Sequence, residues 1–199
     1  DGATHQAIED IAITRVIPNM VVIAPCDAIE AKKATIAAAR YKCPVYIRFT
    51  REKTPVMTTE ETPFEIGKAE VFREGNDVTL IGCGPLAYEA LKAAEELAKE
   101  GISAEVINNH TIKPMDKETI LKSVKKTGCV VTIEEHQAAG GMGSAVSEIL
   151  SQNYPVLMEI IGIQDRFGES GEPKELLEKF GLTSKNIIEA VKKVIKRKG

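Results

Sequence analysis

Paired cysteines, long apolar runs and a surplus of cations are all missing from this sequence of 199 residues. Its four cysteines, Cys26, Cys43, Cys83 and Cys129, stand singly in apolar surroundings. Without a CxxC pair or a His/Cys cluster they point to neither a secreted disulfide framework nor a metal centre, and they read as buried, reduced thiols. No stretch approaches the roughly 18 apolar residues of a membrane span, and none reads as a signal peptide. Lysine and arginine number 26 against 29 aspartates and glutamates, a net charge of -3, which counts against a general nucleic-acid binder. The expectation is a cytoplasmic protein with neither nucleic acid nor membrane as partner.

What is present is an ordinary globular composition, 43% apolar and 28% charged, with length for one large domain or one domain plus part of another. Residues 5–16 read as a helix with Ile8, Ile11, Ala12 and Val16 on one face, and Pro18-Asn19 ends it. MVVIAP (20–25) reads as a buried strand, Asp27 as the cap of a second helix, and CPVYIRFT (43–50) as another strand. REKTPVMTTEETPFEIG carries no sustained period and is the best linker candidate. Beyond it, strands at 77–84, 102–108, 129–135 and 156–163 alternate with helices, and two helices close the chain. Gly101 and Gly128 are the stops of the first two of those helices, and Asp116 starts the second.

That alternation predicts an α/β fold: a mostly parallel sheet with helices on both faces, preceded by a partial α/β unit. Residues 1–60 supply only two helices and two strands, too few to close a core, so they should lean on the later domain or on another chain. From about residue 65 onward the elements suffice for a complete domain.

The opening DGATHQ is unusual for a first segment, because Asp1, Thr4 and His5 are groups that handle protons and hydroxyls around a glycine turn. On physical grounds alone Thr4 reads equally as a helix cap with His5 beside it. The longer string DGATHQAIEDIAITRVIPNMVVIAPCDAIE closely resembles the pyrimidine-binding domain of transketolases, with Ala3 in place of the usual proline. VYIRFTREKTPV resembles the family's strand followed by a phosphate-gripping arginine, and the spacing to Pro55 favours Arg51 over Arg48. TIKPMD, EEHQAAGGMGSAVSE and DRFGESGEPKELLEKFGLT resemble the family's C-terminal domain. The resemblance assigns residues 1–60 to the later part of the pyrimidine-binding domain and 61–199 to the C-terminal domain.

The resemblance implies thiamine diphosphate and a divalent cation such as magnesium as cofactors of a complete enzyme that moves a two-carbon ketol unit between sugar phosphates. Asp1 would accept a hydrogen bond from a substrate hydroxyl, and His5 would act at the reacting oxygens as hydrogen-bond partner or proton shuttle. Arg51 would hold the terminal phosphate with its planar fork of donors. The family's G-D-G diphosphate signature and its activating glutamate are absent, so no cofactor is expected on this chain alone. A partner half or subunit carrying the diphosphate-binding domain, and a homodimer of the complete enzyme, are implied. The chain then reads as cut within an active site. Asn108-Asn109 is a decoy for the family's N-N pair, a strand-end turn.

Deoxyxylulose-phosphate synthase shares the D-G-x-T-H pattern, but it tends to place a second histidine where Gln6 stands. A non-catalytic assembly or regulatory module is the remaining alternative. Gly82-x-Gly84 lacks the third glycine of a dinucleotide fingerprint and reads as close strand–helix packing. Glu134, Glu135 and His136, with the Gly140–Gly143 loop, sit where backbone N–H groups can bind an anion, yet a structural or interface role is the better reading. His110 stays unassigned.

Overall fold

The computed structural model describes residues 2–198. β-Branched runs spaced by amphipathic segments build a five-stranded sheet in the order β3 (Glu70–Arg73), β5 (Ala104–Asn108), β4 (Val78–Gly82), β7 (Cys129–Gln137), β8 (Leu157–Ile163). The last four run parallel, and β3 joins the edge antiparallel to β5. Every residue of β4 and β5 is buried, as strands covered on both faces require. Along β4 the side chains alternate. Val78 and Leu80 join a core with Leu86, Ala90 and Leu97 of α3 (Leu86–Lys99) and Val191 and Val194 of α7 (Ser184–Lys198). Ile81 joins a second core, with Ile120 and Val124 of α4 (Lys117–Thr127) and Met142 and Val146 of α5 (Met142–Asn153).

A smaller, front sheet holds β2 (Val45–Ile47), β1 (Val21–Ile23) and β6 (Thr111–Lys113) in that order. β1 and β2 are parallel, whereas β6 runs antiparallel to β1. The front segment thus borrows its third strand from the later part of the chain, and it leans there as its shortage of strands required. β6 was not anticipated, because three residues ahead of Pro114 carry too little pattern to read as a strand. β3 was missed for a related reason: at the sheet edge Val71 stays exposed and the alternation is weak.

α1 spans only Asp10–Arg15, not 5–16. Ala3–His5 form a single 3-10 turn, and Gln6 after it is extended at φ -97° and ψ 113°. The reason is a competing partner: the N–H of Gln137 donates to the carbonyl of Ile8 at 2.8 Å, which draws this stretch along the end of β7. Thr4 makes no cap, and its hydroxyl lies 3.1 Å from His5 Nδ1. Val16 is exposed rather than inward, and Cys43, expected to be buried, is exposed. The other three thiols are buried.

Helix ends follow their signals. Asp116 caps α4 by accepting from the Thr119 N–H at 3.1 Å, and Gly128 ends it at φ 73°, a left-handed conformation suited to glycine. α6 (Pro173–Lys179) opens with proline at its first turn. Asp27 caps α2 (Ala28–Arg40), accepting from the Glu30 N–H at 2.9 Å. The same carboxylate accepts from the N–H groups of Met57 and Thr58 at 2.7 and 2.6 Å and from the Thr58 hydroxyl at 2.8 Å. Burial works to raise the Asp27 pKa, but these donors overrule it and hold the carboxyl below its ordinary range. Asp27→Ala is therefore expected to cost about 3 kcal/mol, combining a lost cap with orphaned loop donors. Urea unfolding measures it, and protease cutting in the loop near Met57 should rise in parallel.

Candidate active site

In an open parallel sheet, ligands usually sit outside the carboxyl ends of the strands. Here the front segment covers that end of the five-stranded sheet. The Gly84 N–H donates to the Ala24 carbonyl at 3.0 Å, and the Ala24 N–H donates to the His110 carbonyl at 2.8 Å. The Ala12 N–H donates to His136 Nε2 at 3.3 Å, and Arg15 Nε to the Gly140 carbonyl at 2.6 Å. The amino end of α5, which could have held an outside anion, is filled from within. Glu134 accepts from the N–H groups of Met142 at 2.6 Å and Gly143 at 2.8 Å. A Cβ on Gly143 would lie 2.6 Å from Thr132 Oγ1, so the helix approaches this closely only with glycine there. Gly82 likewise faces Ala87, where a Cβ would meet its Cα at 3.0 Å, so packing accounts for Gly82, whereas Gly84 has open space around it and a left-handed φ of 59°. The Glu134–His136 region is thus an internal interface.

Arg48 is committed to the same seam. Its Nη2 donates to the carbonyls of Ala7 at 2.9 Å and Glu135 at 2.8 Å, and its Nη1 lies 3.4 Å from Glu135 Oε2. Its Nε is 3.3 Å from Asp10 Oδ2, an atom that also accepts from the Tyr46 hydroxyl at 2.8 Å. The Arg48 side chain is only 13% exposed. Burial opposes its charge, but Glu135 and Asp10 outweigh burial and raise its pKa.

On the open side of this seam lies a cleft of about 940 Å³. His5 and Arg51 both line it, together with Lys53 and Lys174. His5 and Arg51 are exposed, on loops at the end of the 3-10 turn and beyond β2. Asp1, the third expected group, lies outside the described residues. Gln6, next to His5, donates through Nε2 to the Glu169 carbonyl at 2.8 Å, which ties the His5 loop to the segment after β8. Leu176, Leu177 and Phe180 give the cleft an apolar wall.

Sequence reasoning missed a buried cluster where the front segment meets the end of β5. Glu30 accepts from the Cys26 N–H at 2.6 Å and from Asn108 Nδ2 at 2.7 Å. Burial pushes its pKa up to about 7 against those two donors. The signal was present as Asp27-x-x-Glu30 before an apolar run, a capping-box spacing whose glutamate here reaches one residue further back. Asn108 ends β5, and the Asn109 N–H donates to the Gly82 carbonyl at 2.8 Å, so the pair serves the strand end as expected. His110 is buried with its ring stacked on Phe64 at 4.4 Å, and burial lowers its pKa to about 4. It is a neutral core side chain.

A mostly parallel five-stranded sheet with helices on both faces, joined to a small mixed sheet and with an open polar cleft beside the joint, defines an α/β protein of the doubly wound kind. Residues 1–57 match the family described as transketolase, pyrimidine binding domain, and residues 67–187 match transketolase, C-terminal domain. The chain belongs to the transketolase family and corresponds to its C-terminal portion. It is 46% identical over its whole length to a 6-deoxy-6-sulfo-D-fructose transketolase subunit of Clostridium sp. (strain MSTE9), covering 62% of that protein. It is 45% identical to a putative transketolase C-terminal section of Methanocaldococcus jannaschii, covering 99% of this chain and 62% of that one. A 1-deoxy-D-xylulose-5-phosphate synthase of Desulfotalea psychrophila is 44% identical over 96% of this chain and 30% of its own. The solved structure of a split-gene transketolase in an inactive beta4 tetramer superposes with a TM-score of 0.95 at 45% identity, covering 98% of this chain and 64% of that one. The chain thus spans about three-fifths of the length of the first two relatives.

Thiamine diphosphate, which the family implies, needs a cation-bridged diphosphate site. Among the described residues no group of three or more His, Cys, Asp or Glu side chains could hold a metal ion.

The raised pKa of Glu30 has a sign that can be read in stability. Its folded pKa, about 7, lies above the ordinary carboxylate value of 4.5, so the folded state binds the proton more tightly. Ionisation therefore opposes folding, with no effect below about pH 4.5 and the full effect above about pH 7. Across that window the contribution amounts to about 3 kcal/mol. Glu30→Gln should flatten this part of the stability–pH curve, with Asn108 turning its amide to accept from the new one. Denaturant titrations of both proteins at several pH values from 4.5 to 8 test it.

Proposed function

We propose that this chain forms one wall of the active site of a thiamine-diphosphate-dependent transketolase, which transfers a two-carbon ketol unit between sugar phosphates. The observation that carries the reading is that His5 and Arg51, far apart in sequence, line one cleft. The cofactor supplies the carbanion chemistry when bound. His5 would hydrogen-bond the reacting oxygens and move a proton there, a task for which an exposed imidazole is suited as both donor and acceptor. Arg51 would hold the tetrahedral anion at the far end of the sugar, and Asp1 would accept from a hydroxyl near the reacting carbon.

The diphosphate and its magnesium ion would be held by a partner half or subunit, and complete units would pair as homodimers. The 62% share of the first two relatives that the chain spans and the tetrameric split-gene neighbour support a shared assembly. The proposed setting is cytoplasmic pentose phosphate metabolism. One relative is named for a sulfosugar, and a sulfonate offers an arginine the same three-oxygen end as a phosphate. A second reading, deoxyxylulose-phosphate synthesis, is favoured by the 44% identity to that enzyme and disfavoured by Gln6.

Steady-state assays on the complete enzyme test the proposal. His5→Ala should lower kcat by about 100-fold or more. Arg51→Ala should raise KM for phosphorylated sugars about 10- to 100-fold, the worth of a charged hydrogen-bonded contact. Ketol transfer untouched by either change would overturn the assignment, and condensation of pyruvate with a triose phosphate would favour the second reading.

A further inference from the structure

We infer that Arg48 is a positioning residue for the cleft, anchored by Glu135. Resting on the assignment of His5 and Arg51 as the two ends of the substrate site, it fixes the separation of those ends and so sets the length of sugar phosphate the cleft accepts. Arg48 follows β2 directly, and its own N–H donates to the Ile23 carbonyl at 2.8 Å, so its backbone is registered on the front sheet. Its Nη2 holds two carbonyls at once, Ala7 at 2.9 Å and Glu135 at 2.8 Å. Ala7 is two residues beyond His5, and Arg51 is three residues beyond Arg48. One planar guanidinium thereby joins the backbone beside each end of the site and fastens both to β7 of the larger sheet.

The geometry needs a fork. Donors point in separate directions to Ala7, Glu135 and Asp10, an arrangement that a lysine, with one point charge on a flexible stem, does not reproduce. Asp10 is in turn held by the Tyr46 hydroxyl at 2.8 Å, so the fork has little freedom to turn. Arg48, Tyr46 and Glu135 all line the same cleft as His5 and Arg51. A change in the fork therefore alters the spacing of those loops before it alters the chemistry of either.

Only a substrate long enough to touch both ends senses that spacing. The test uses the complete enzyme with two alternative acceptors, an aldose phosphate and a two-carbon unphosphorylated hydroxyaldehyde, and compares wild type, Arg48→Lys, Glu135→Gln and Arg51→Ala. Circular dichroism and thermal unfolding confirm that each variant is folded. The expected result is an approximately tenfold rise in the ratio of KM for the long acceptor to KM for the short one in Arg48→Lys, and a smaller rise in Glu135→Gln. If Arg51→Ala raises KM for the phosphate while Arg48→Lys and Glu135→Gln leave the ratio unchanged, the positioning role is overturned. An Arg51→Ala enzyme with unaltered KM would instead remove the cleft assignment beneath it.

Discussion

The antiparallel pairing of β1 with β6 is the constraint on which the rest of the molecule depends. Two parallel strands, β1 and β2, cannot stand alone, because an uncovered edge leaves a row of main-chain donors and acceptors without partners. β6 meets that need from a loop of the larger unit, and in doing so brings the front segment over the carboxyl ends of β4, β5 and β7. Every other contact of the seam follows from that docking: Ala24 bonds to His110 and Gly84, Asn108 reaches Glu30, and Arg48 reaches Glu135. The crevice where such sheets usually hold a ligand becomes a mounting face, and the open cleft is displaced to the side where His5 and Arg51 stand.

The seam is polar, and its polarity has a cost. Glu30 and Glu134 are buried, and burial lifts both toward a pKa of about 7. Both accept from N–H donors, Cys26 and Asn108 for Glu30 and Met142 and Gly143 for Glu134, and the charges of Arg48 and Arg15 also favour the ionised form of Glu134. An apolar seam of equal area would be more stable in principle, but it would tolerate sliding. Directional bonds to fixed N–H groups permit one registration only, which is the arrangement that a site assembled from two units requires.

Much of this was legible in the residues. Helix limits at Asp27, Asp116, Gly101 and Gly128 were written in side-chain chemistry that acts within one turn, and the parallel sheet was written in its buried β-branched runs. The likeness to transketolases pointed to His5 and Arg51, which line one cleft, whereas the internal engagement of Arg48 was not legible. What was not legible depended on distant partners. The helix expected from residue 5 gives way to an extended stretch because Gln137, far along the chain, bonds to Ile8. β6 is three residues whose strand character exists only beside β1. Glu30 drew no expectation from the sequence, and nothing nearby in the chain announces that Asn108 will close over it. Local patterns fixed what is local, and the seam is made of long-range pairings.

Several bonds across that seam join peptide group to peptide group: Gly84 to Ala24, Ala24 to His110, Gln137 to Ile8. Such links do not depend on which side chains the residues carry. The docking can therefore survive wide sequence drift, and truncating side chains one at a time would pass over it. A change to the main chain itself, such as an ester in place of the amide at Ala24 or a proline at Gln137, interrogates these peptide links, whereas side-chain truncation reaches those made by side chains, among them Arg15, Arg48, Asn108 and His136.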